Sequence, residues 1–125
     1  MLTIDTYVLY VENIQISQGF YTKVLGCESR SLSPTCMEIK FANNMSVLLK
    51  QNSNLVPTSR ITGGGAELSI LVEDQTKLES LYHSWKKQSV DFAQDPKELS
   101  YGVSFVALDP DEHRIRVTIP IGLPS

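Results

Sequence analysis

The chain has 125 residues, of which 42% are hydrophobic, and its formal net charge is −3 at pH 7. This length and composition are those of one compact globular body that can bury a core. The acidic balance gives a nucleic-acid partner no electrostatic support, and no apolar stretch is long enough to span a membrane. The N-terminus lacks the basic start and apolar core of a signal peptide, so we expect a cytoplasmic protein.

The first part of the chain predicts a strand followed by a helix. Residues 3–12 are largely apolar and rich in β-branched and aromatic types, which is typical of a strand. Asn13 can accept hydrogen bonds from the first turn of a helix, and Gly26 can adopt the left-handed conformation that ends one. Four side chains recur at helical spacing between them and are predicted to pack on a sheet: Ile16, Phe20, Tyr21 and Val24.

Three more strands are predicted before residue 52, separated by a turn at Ser33-Pro34 and a hairpin at Asn43-Asn44. Their approximate ranges are 27–32, 35–41 and 45–50. The only two cysteines, Cys27 and Cys36, flank the first turn, so they could lie opposite each other on paired strands and oxidise together. Two reduced cysteines in a cytosolic sheet are the favoured interpretation.

A polar segment with three consecutive glycines, about 53–65, is predicted to link this first module (about 1–52) to a second (about 66–125). The second module begins with a strand at 66–73 and an N-cap at Asp74. Its helix is predicted to bury Leu78, Leu81, Tyr82 and Trp85. Three strands follow, at about 89–94, 102–108 and 113–119, the last two joined by a turn at 109–112.

The two modules share a sequence pattern. Val11-Glu12-Asn13 precedes a helix that reaches Tyr21, and Val72-Glu73-Asp74 precedes one that reaches Tyr82, at the same offset. Two copies of one strand-helix unit are too few for a solenoid. The sequence therefore predicts an α+β fold of two βαβββ modules within a single domain of residues 1–125.

A helix on one face of each sheet leaves the other face to be covered or used, and alternate strand residues point to it. Polar and apolar side chains are mixed there, which indicates a partly wet concave surface. Glu67 opens an otherwise apolar strand, so its carboxylate needs a partner or water. The residues predicted on these faces are Thr6, Val8, Tyr10, Ser46, Leu48, Lys50, Glu67, Ser69, Leu71, Arg114, Arg116 and Thr118.

Three motifs together resemble the vicinal oxygen chelate superfamily, which includes glyoxalase I, bleomycin-resistance proteins, fosfomycin-resistance enzymes and extradiol dioxygenases. They are Leu9-Tyr10-Val11-x-Asn13, Phe20-Tyr21-x-x-Val24-Leu25-Gly26 and Asp109-Pro110-Asp111-x-His113-x-Ile115. The resemblance covers essentially the whole chain. It implies that each module is an open half-barrel sheet with a helix on its convex face, and that the protein is a homodimer with a cavity on the concave side.

Enzymes of that family hold a divalent metal with His or Glu at four strand positions, and the metal acts as a Lewis acid on two substrate oxygens. In this sequence the corresponding positions are Thr6, Leu48 (or Val47 if the register differs by one), Glu67 and Arg116. Arginine cannot lose its proton to coordinate a metal. The resemblance therefore implies a member without the metal centre, in which His113 is a turn residue and His83 a solvated helix residue.

Glu67 and Arg116 have two interpretations. The favoured one is a salt bridge between strands of the second module. In the other, the planar fork of Arg116 meets a carboxylate, phosphate or phenolate of a ligand, and Glu67 holds the arginine or contacts a ligand amine. Both interpretations are compatible, since one partner does not exhaust the five donors of arginine.

The resulting functional hypothesis is a metal-free binder that sequesters an aromatic, cationic or antibiotic-like compound in a cavity between the sheets, as bleomycin-resistance proteins do. The alternative is an enzyme of the family that uses Glu67, with a raised pKa, as a base, or uses a divalent metal. A third possibility is a structural or regulatory module, and ligand specificity is predicted to depend on loops 51–65 and 94–102. The candidate ligand-binding residues are Thr6, Val8, Tyr10, Leu48, Lys50, Glu67, Ser69, Leu71, Tyr101, Phe105, Arg114 and Arg116.

Overall fold

A computed structural model describes residues 1–120 of the protein. The chain divides into two compact units, Met1–Gly63 and Gly64–Ser125, the second of which is described as far as residue 120. Each unit contains one helix and one four-stranded sheet. The predicted α+β class and the repeated βαβββ order are confirmed.

The first unit pairs its first strand with its last. Its elements are β1 (Tyr7–Val11), α1 (Ile14–Lys23), β2 (Glu28–Ser33), β3 (Cys36–Lys40) and β4 (Ser46–Gln51), followed by a short 3₁₀ turn at Asn52–Asn54. The sheet order is β1-β4-β3-β2, with β1 parallel to β4 and the other neighbours antiparallel. The sheet edges are therefore β1 and β2.

The second unit repeats this arrangement. Its elements are β5 (Glu67–Leu71), α2 (Gln75–Lys87), β6 (Asp91–Leu99), β7 (Gly102–Leu108) and β8 (Arg114–Pro120). The sheet order is β5-β8-β7-β6, and β5 runs parallel to β8. Each helix and strand of the first unit thus has a counterpart in the second, as the repeated sequence pattern predicts.

The helix starts lie where the sequence places them. The side chain of Asn13 accepts hydrogen bonds from the backbone N–H groups of Gln15 and Ile16, each at 3.1 Å. The side chain of Asp74 accepts from the N–H of Lys77 at 2.8 Å. These bonds satisfy amides that have no partner inside the helix. Among residues 1–120, neither helix has the length and apolar character needed to cross a membrane.

The buried stripe of α1 differs from the predicted one. Ile14, Ser17 and Tyr21 face the core, whereas Ile16 is 59% exposed. The helix begins at Ile14, so the positions at i, i+3 and i+7 from that residue face the sheet and Ile16 is rotated away from it. Tyr21 is fully buried, and Phe20 packs edge-on against it.

The stripe of α2 agrees with the prediction at three of four positions. Leu78, Tyr82 and Trp85 are buried, and Leu81 is half-buried. The Tyr82 and Trp85 rings each lie edge-on to Phe105 of β7, with centroids 5.5 Å apart. This aromatic cluster attaches the helix to the sheet of the second unit.

Two strands differ in length from their predictions. β1 begins at Tyr7 and not at residue 3, because its partner β4 begins at Ser46 and offers no pairing to earlier residues. β6 continues to Leu99, although the sequence predicts a loop from 94 onward. Pro96 is tolerated there because β6 is an edge strand whose pairing shifts register between Gln94 and Lys97.

The two cysteines do not lie opposite each other. Cys36 pairs with Ser33 at the turn, while Cys27 precedes Glu28, which pairs with Lys40 at the far end of the hairpin. A strand advances about 3.3 Å per residue, so the two Cα atoms are roughly 15 Å apart, far beyond the reach of a disulfide. Burial also raises the pKa of the Cys27 thiol.

Candidate functional site

One face of the second sheet is turned away from α2. Phe105 packs on α2, and its register partner Val117 is fully buried on the same side. The alternate residues of β8, including Arg116, therefore point to the opposite side. We call this side the open face of the second unit. Its strand residues are Glu67, Ser69 and Leu71 of β5, Ser104 of β7, and Arg114, Arg116 and Thr118 of β8.

Arg116 and Glu67 form a forked ion pair on this face. The Arg116 Nη2 atom donates to Glu67 Oε2 at 2.8 Å, and Nε donates to Oε1 at 3.0 Å and to Oε2 at 3.2 Å. The Arg116 side chain is 17% exposed and the Glu67 side chain is 34% exposed. The predicted salt bridge is thus formed, and its two-pronged geometry fixes the plane of the guanidinium.

The ion pair alters the acidity of both partners. The hydrogen bond from Arg116 holds the pKa of Glu67 below its ordinary value, and the charges of Arg116 and Arg114 act in the same direction against partial burial. The hydrogen bond to Glu67 raises the pKa of Arg116. The expectation of a raised Glu67 pKa is therefore wrong, because the neighbouring cations outweigh the desolvation of the carboxylate.

The other end of the guanidinium contacts two hydroxyl groups. Arg116 Nη1 donates to Tyr101 Oη at 2.7 Å and to Ser104 Oγ at 3.0 Å. The Arg116 guanidinium also lies near the Tyr101 ring, 5.8 Å from its centroid. Tyr101 was a predicted site residue, but Ser104 was not. A serine within the apolar strand Gly102–Leu108 was the available signal, because a buried hydroxyl needs a partner.

Of the other predicted site residues of the second unit, three lie on the open face and one does not. Arg114 and Ser69 are exposed, and in register Arg114 pairs with Glu67 and Ser69 with Arg116. Leu71 lies two residues further along β5, where it pairs with Thr118, and it is 63% exposed. Phe105 does not belong with them: it is fully buried against α2, so the prediction that it lines the open face is wrong.

In the first unit, the predicted residues of β1 and β4 lie side by side on the face away from the core. Val8 pairs with Leu48, and Tyr10 pairs with Lys50, whose other neighbour is Cys36. The alternate residues Leu9, Val11, Val47 and Leu49 are buried. Thr6 precedes the strand and donates to the Ser46 carbonyl oxygen at 3.2 Å.

A cavity of about 360 Å³ adjoins Lys50 in the first unit. Its wall is mixed: Lys50 and Cys36 lie beside the apolar Leu32, Leu55 and Val56 and the polar Ser33, Thr35, Gln51 and Asn54. This volume lies within the range of small-molecule sites in proteins. The cavity thus offers apolar and polar surface next to one cation.

The four family positions do not fit a divalent metal. Leu48 and Val47 have no donor atom, and Arg116 keeps its proton. Glu67 is the one carboxylate among them, and Arg116 already occupies both of its oxygens. Among residues 1–120, no three His, Cys, Asp or Glu side chains lie close enough together to hold a metal ion.

The two histidines occupy the positions that the sequence predicts. His83 is exposed on α2. His113 lies at the end of the β7–β8 turn, where its Nδ1 is 2.7 Å from Oδ2 of the buried Asp109. Asp109 Oδ1 accepts from the N–H groups of Asp111 and His113, so this side chain organises the turn.

Solved structures share this fold over nearly the whole chain. A protein of Agrobacterium tumefaciens, determined by solution NMR, is 35% identical over 98% of this chain and 100% of its own, with a TM-score of 0.88. A glyoxalase-related enzyme from Fulvimarina pelagi matches at 16% identity over 99% of this chain and 92% of its own, with a TM-score of 0.84. A member of the glyoxalase/bleomycin resistance protein/dioxygenase superfamily from Sphaerobacter thermophilus matches at 18% identity over 95% of this chain and 98% of its own, with a TM-score of 0.77.

No protein-family model matches the chain, and no curated protein matches it. The two relatives below 20% identity share the fold, and their names describe them alone. The protein of Agrobacterium tumefaciens is a relative over its full length. Fold alone does not define function, so the function has to be argued from the residues on the open faces.

Proposed function

We propose that the chain, which shares the fold of the glyoxalase/bleomycin resistance protein/dioxygenase superfamily, is a metal-free protein that binds a small organic molecule without transforming it. The observation that carries the proposal is the forked bond between Arg116 and Glu67. By the family resemblance, Arg116 stands at a position where enzymes of the family hold an exchangeable metal cation, so here the positive charge belongs to the chain itself. The proposed role is sequestration of an antibiotic-like compound, as in bleomycin-resistance proteins.

The chemistry of these two residues favours binding over catalysis. A guanidinium has no empty orbital for a substrate oxygen, so it cannot act as a Lewis acid on two vicinal oxygens. A carboxylate with a lowered pKa is also a weaker base, which disfavours proton abstraction by Glu67. The alternative, an enzyme with Glu67 as its base, therefore has less support than a binder.

The open faces have the composition of a small-molecule site. Such sites are mostly apolar and carry a few positioned polar groups. Leu71 and Tyr101 supply exposed apolar surface beside Arg116 in the second unit. The cavity next to Lys50 supplies the same combination in the first unit. The proposal extends to a homodimer, the form that the family resemblance implies, in the cytoplasm.

Native mass spectrometry of protein purified without chelator tests the proposal. We expect a dimer without stoichiometric divalent metal, with a small organic mass bound and released unchanged on denaturation. Chelator should leave the melting temperature unchanged, whereas a true ligand raises it with concentration. Stoichiometric metal, or conversion of the bound compound to a product, would contradict the proposal.

A matched pair of variants links binding to the open face. Ser69→Trp places a large ring beside Arg116, its register partner, without altering the core. Ser80→Trp places the same ring on the exposed side of α2. We expect the first variant alone to lose the bound mass. If expression of the wild-type chain protects a sensitive bacterium from the identified compound, the Ser69→Trp variant should not.

A further inference from the structure

The open face of the second unit contains more hydrogen-bond donors than acceptors. Glu67 accepts from Arg116 Nε and Nη2, and the hydroxyl oxygens of Tyr101 and Ser104 each accept from Nη1. Arginine has five N–H donors in a fixed plane, of which Nη2 carries two. One Nη2–H therefore has no acceptor among residues 1–120.

The exposed Tyr101 hydroxyl adds a further donor at the same place. Because the Tyr101 and Ser104 oxygens each accept from the cation, the proton of each must point away from Arg116. Among the residues that the structure describes, neither the Tyr101 nor the Ser104 hydroxyl donates to an acceptor near Arg116. Ser104 is fully buried, so its hydroxyl supports Arg116 from within the sheet, whereas Tyr101 is 48% exposed and can present its hydroxyl to a ligand.

The charges on this face also favour an anion. Arg114 and Arg116 are two cations on β8, and Glu67 is the carboxylate that faces them from β5. Leu71 lies in the same row as Thr118 and Ser104, and its side chain is 63% exposed. The donors thus adjoin an apolar surface, to which the half-exposed Tyr101 ring contributes.

We propose that Arg116 and Tyr101 bind the oxyanion of an aromatic carboxylate whose ring lies on Leu71 and Tyr101, while the buried Ser104 hydroxyl helps to hold the guanidinium in place. This inference rests on the proposed function and specifies the charge of its ligand, in contrast to the cationic compound that the sequence analysis also considered. A carboxylate has two oxygens and several lone pairs, so it can accept from both the free Arg116 Nη2–H and the Tyr101 hydroxyl. Glu67 is then a positioning residue: it orients the guanidinium and its charge opposes the ligand.

Calorimetric titration of the full chain with two probes of one shape tests this inference. The probes are 2-naphthoate and 2-naphthylmethylammonium, which share the ring and differ in the sign of the charge. We expect 2-naphthoate to bind more tightly than the ammonium. Its affinity should fall as salt is added, because salt screens the attraction to the arginines.

Two variants separate recognition from structural support. Tyr101→Phe removes one donor and should weaken 2-naphthoate binding about two- to tenfold, whereas Tyr7→Phe, on the first unit, should leave it unchanged. Glu67→Gln removes the opposing charge and should tighten 2-naphthoate binding about two- to fivefold while lowering the melting temperature. A residue with a structural role alone would not give changes of opposite sign.

The outcomes distinguish this inference from the proposed function. Tighter binding of the ammonium would overturn the inference and leave the small-molecule binder standing. Binding of neither probe would also overturn the inference, while the bound mass and its loss in Ser69→Trp would still decide the proposed function. Unchanged 2-naphthoate affinity in both Tyr101→Phe and Glu67→Gln would place the ligand elsewhere and refute the assignment.

Discussion

Replacement of Phe105 by alanine should destabilise the protein without removing a ligand contact. The Phe105 side chain is fully buried, and its ring lies 5.5 Å from those of Tyr82 and Trp85 and 5.8 Å from that of Phe92. Truncation of such a phenylalanine removes its transfer free energy and leaves a cavity, which together cost about 3–5 kcal/mol. This is a large part of the roughly 5–15 kcal/mol that stabilises a typical domain.

Equilibrium unfolding in guanidinium chloride, followed by tryptophan fluorescence and circular dichroism, measures this loss of stability. Trp85 is the only tryptophan, and it is 2% exposed in contact with Phe105, so its emission reports on the affected core. Phe105→Leu keeps most of the volume and should cost less than about 1.5 kcal/mol. Leu71→Ala, on the exposed face, should change the free energy of unfolding by no more than about 0.5 kcal/mol.

The ligand-binding assay completes this test. Phe105→Leu should bind the ligand with wild-type affinity, because the side chain points toward α2 and away from Arg116. A cost below about 1 kcal/mol for Phe105→Ala, combined with loss of ligand binding in Phe105→Leu, would show that Phe105 faces the ligand. The assignment of the two sheet faces would then be wrong.

Three further predictions concern single side chains. The pKa of Glu67 is lowered in the folded state, so the contribution of this carboxylate to stability is complete above pH 4.5, the ordinary pKa, and is lost as the pH falls through the lowered pKa. In acid unfolding, the Glu67→Gln variant should lack this pH-dependent loss of stability. Asn13→Ala removes the α1 cap and should cost about 1 kcal/mol in urea unfolding, with little effect expected of an exposed substitution elsewhere on that helix. Gly102→Ala should lower the melting temperature strongly, since the residue has φ +146° and a Cβ atom would overlap a carbonyl oxygen of β8. Gly19→Ala, within α1, should instead raise stability by about 0.5–1 kcal/mol, because a Cβ atom there would meet no other atom within 4 Å. Equal effects of the two substitutions would contradict this account.

Local signals were sufficient to predict most of the fold. Asn13 and Asp74 both cap their helices as their side-chain chemistry indicates. The exception in α1 is instructive, because hydrophobicity favoured Ile16 for the core and the structure buries Ser17. A small side chain lets a helix lie close to its sheet, and sequence periodicity does not distinguish that need from ordinary exposure.

The site depended on contacts that the sequence does not encode locally. The position of Glu67 and Arg116 on one face followed from strand alternation, so their pairing could be predicted. The direction of the Glu67 pKa could not, because it depends on bonds to a residue 49 positions later. The role of Ser104 required the register of β7 against β8, and that of Tyr101 required the turn before β7.

Arg116 provides a positive charge that does not depend on a bound metal ion. A metal-dependent relative must acquire its cation after synthesis and can lose it to a chelator or exchange it for a competing ion. The guanidinium is covalently part of the chain, and the pKa of this group is raised further by Glu67. Every copy of the chain therefore carries the Arg116 charge from synthesis onward, and the presence of that charge does not depend on metal supply.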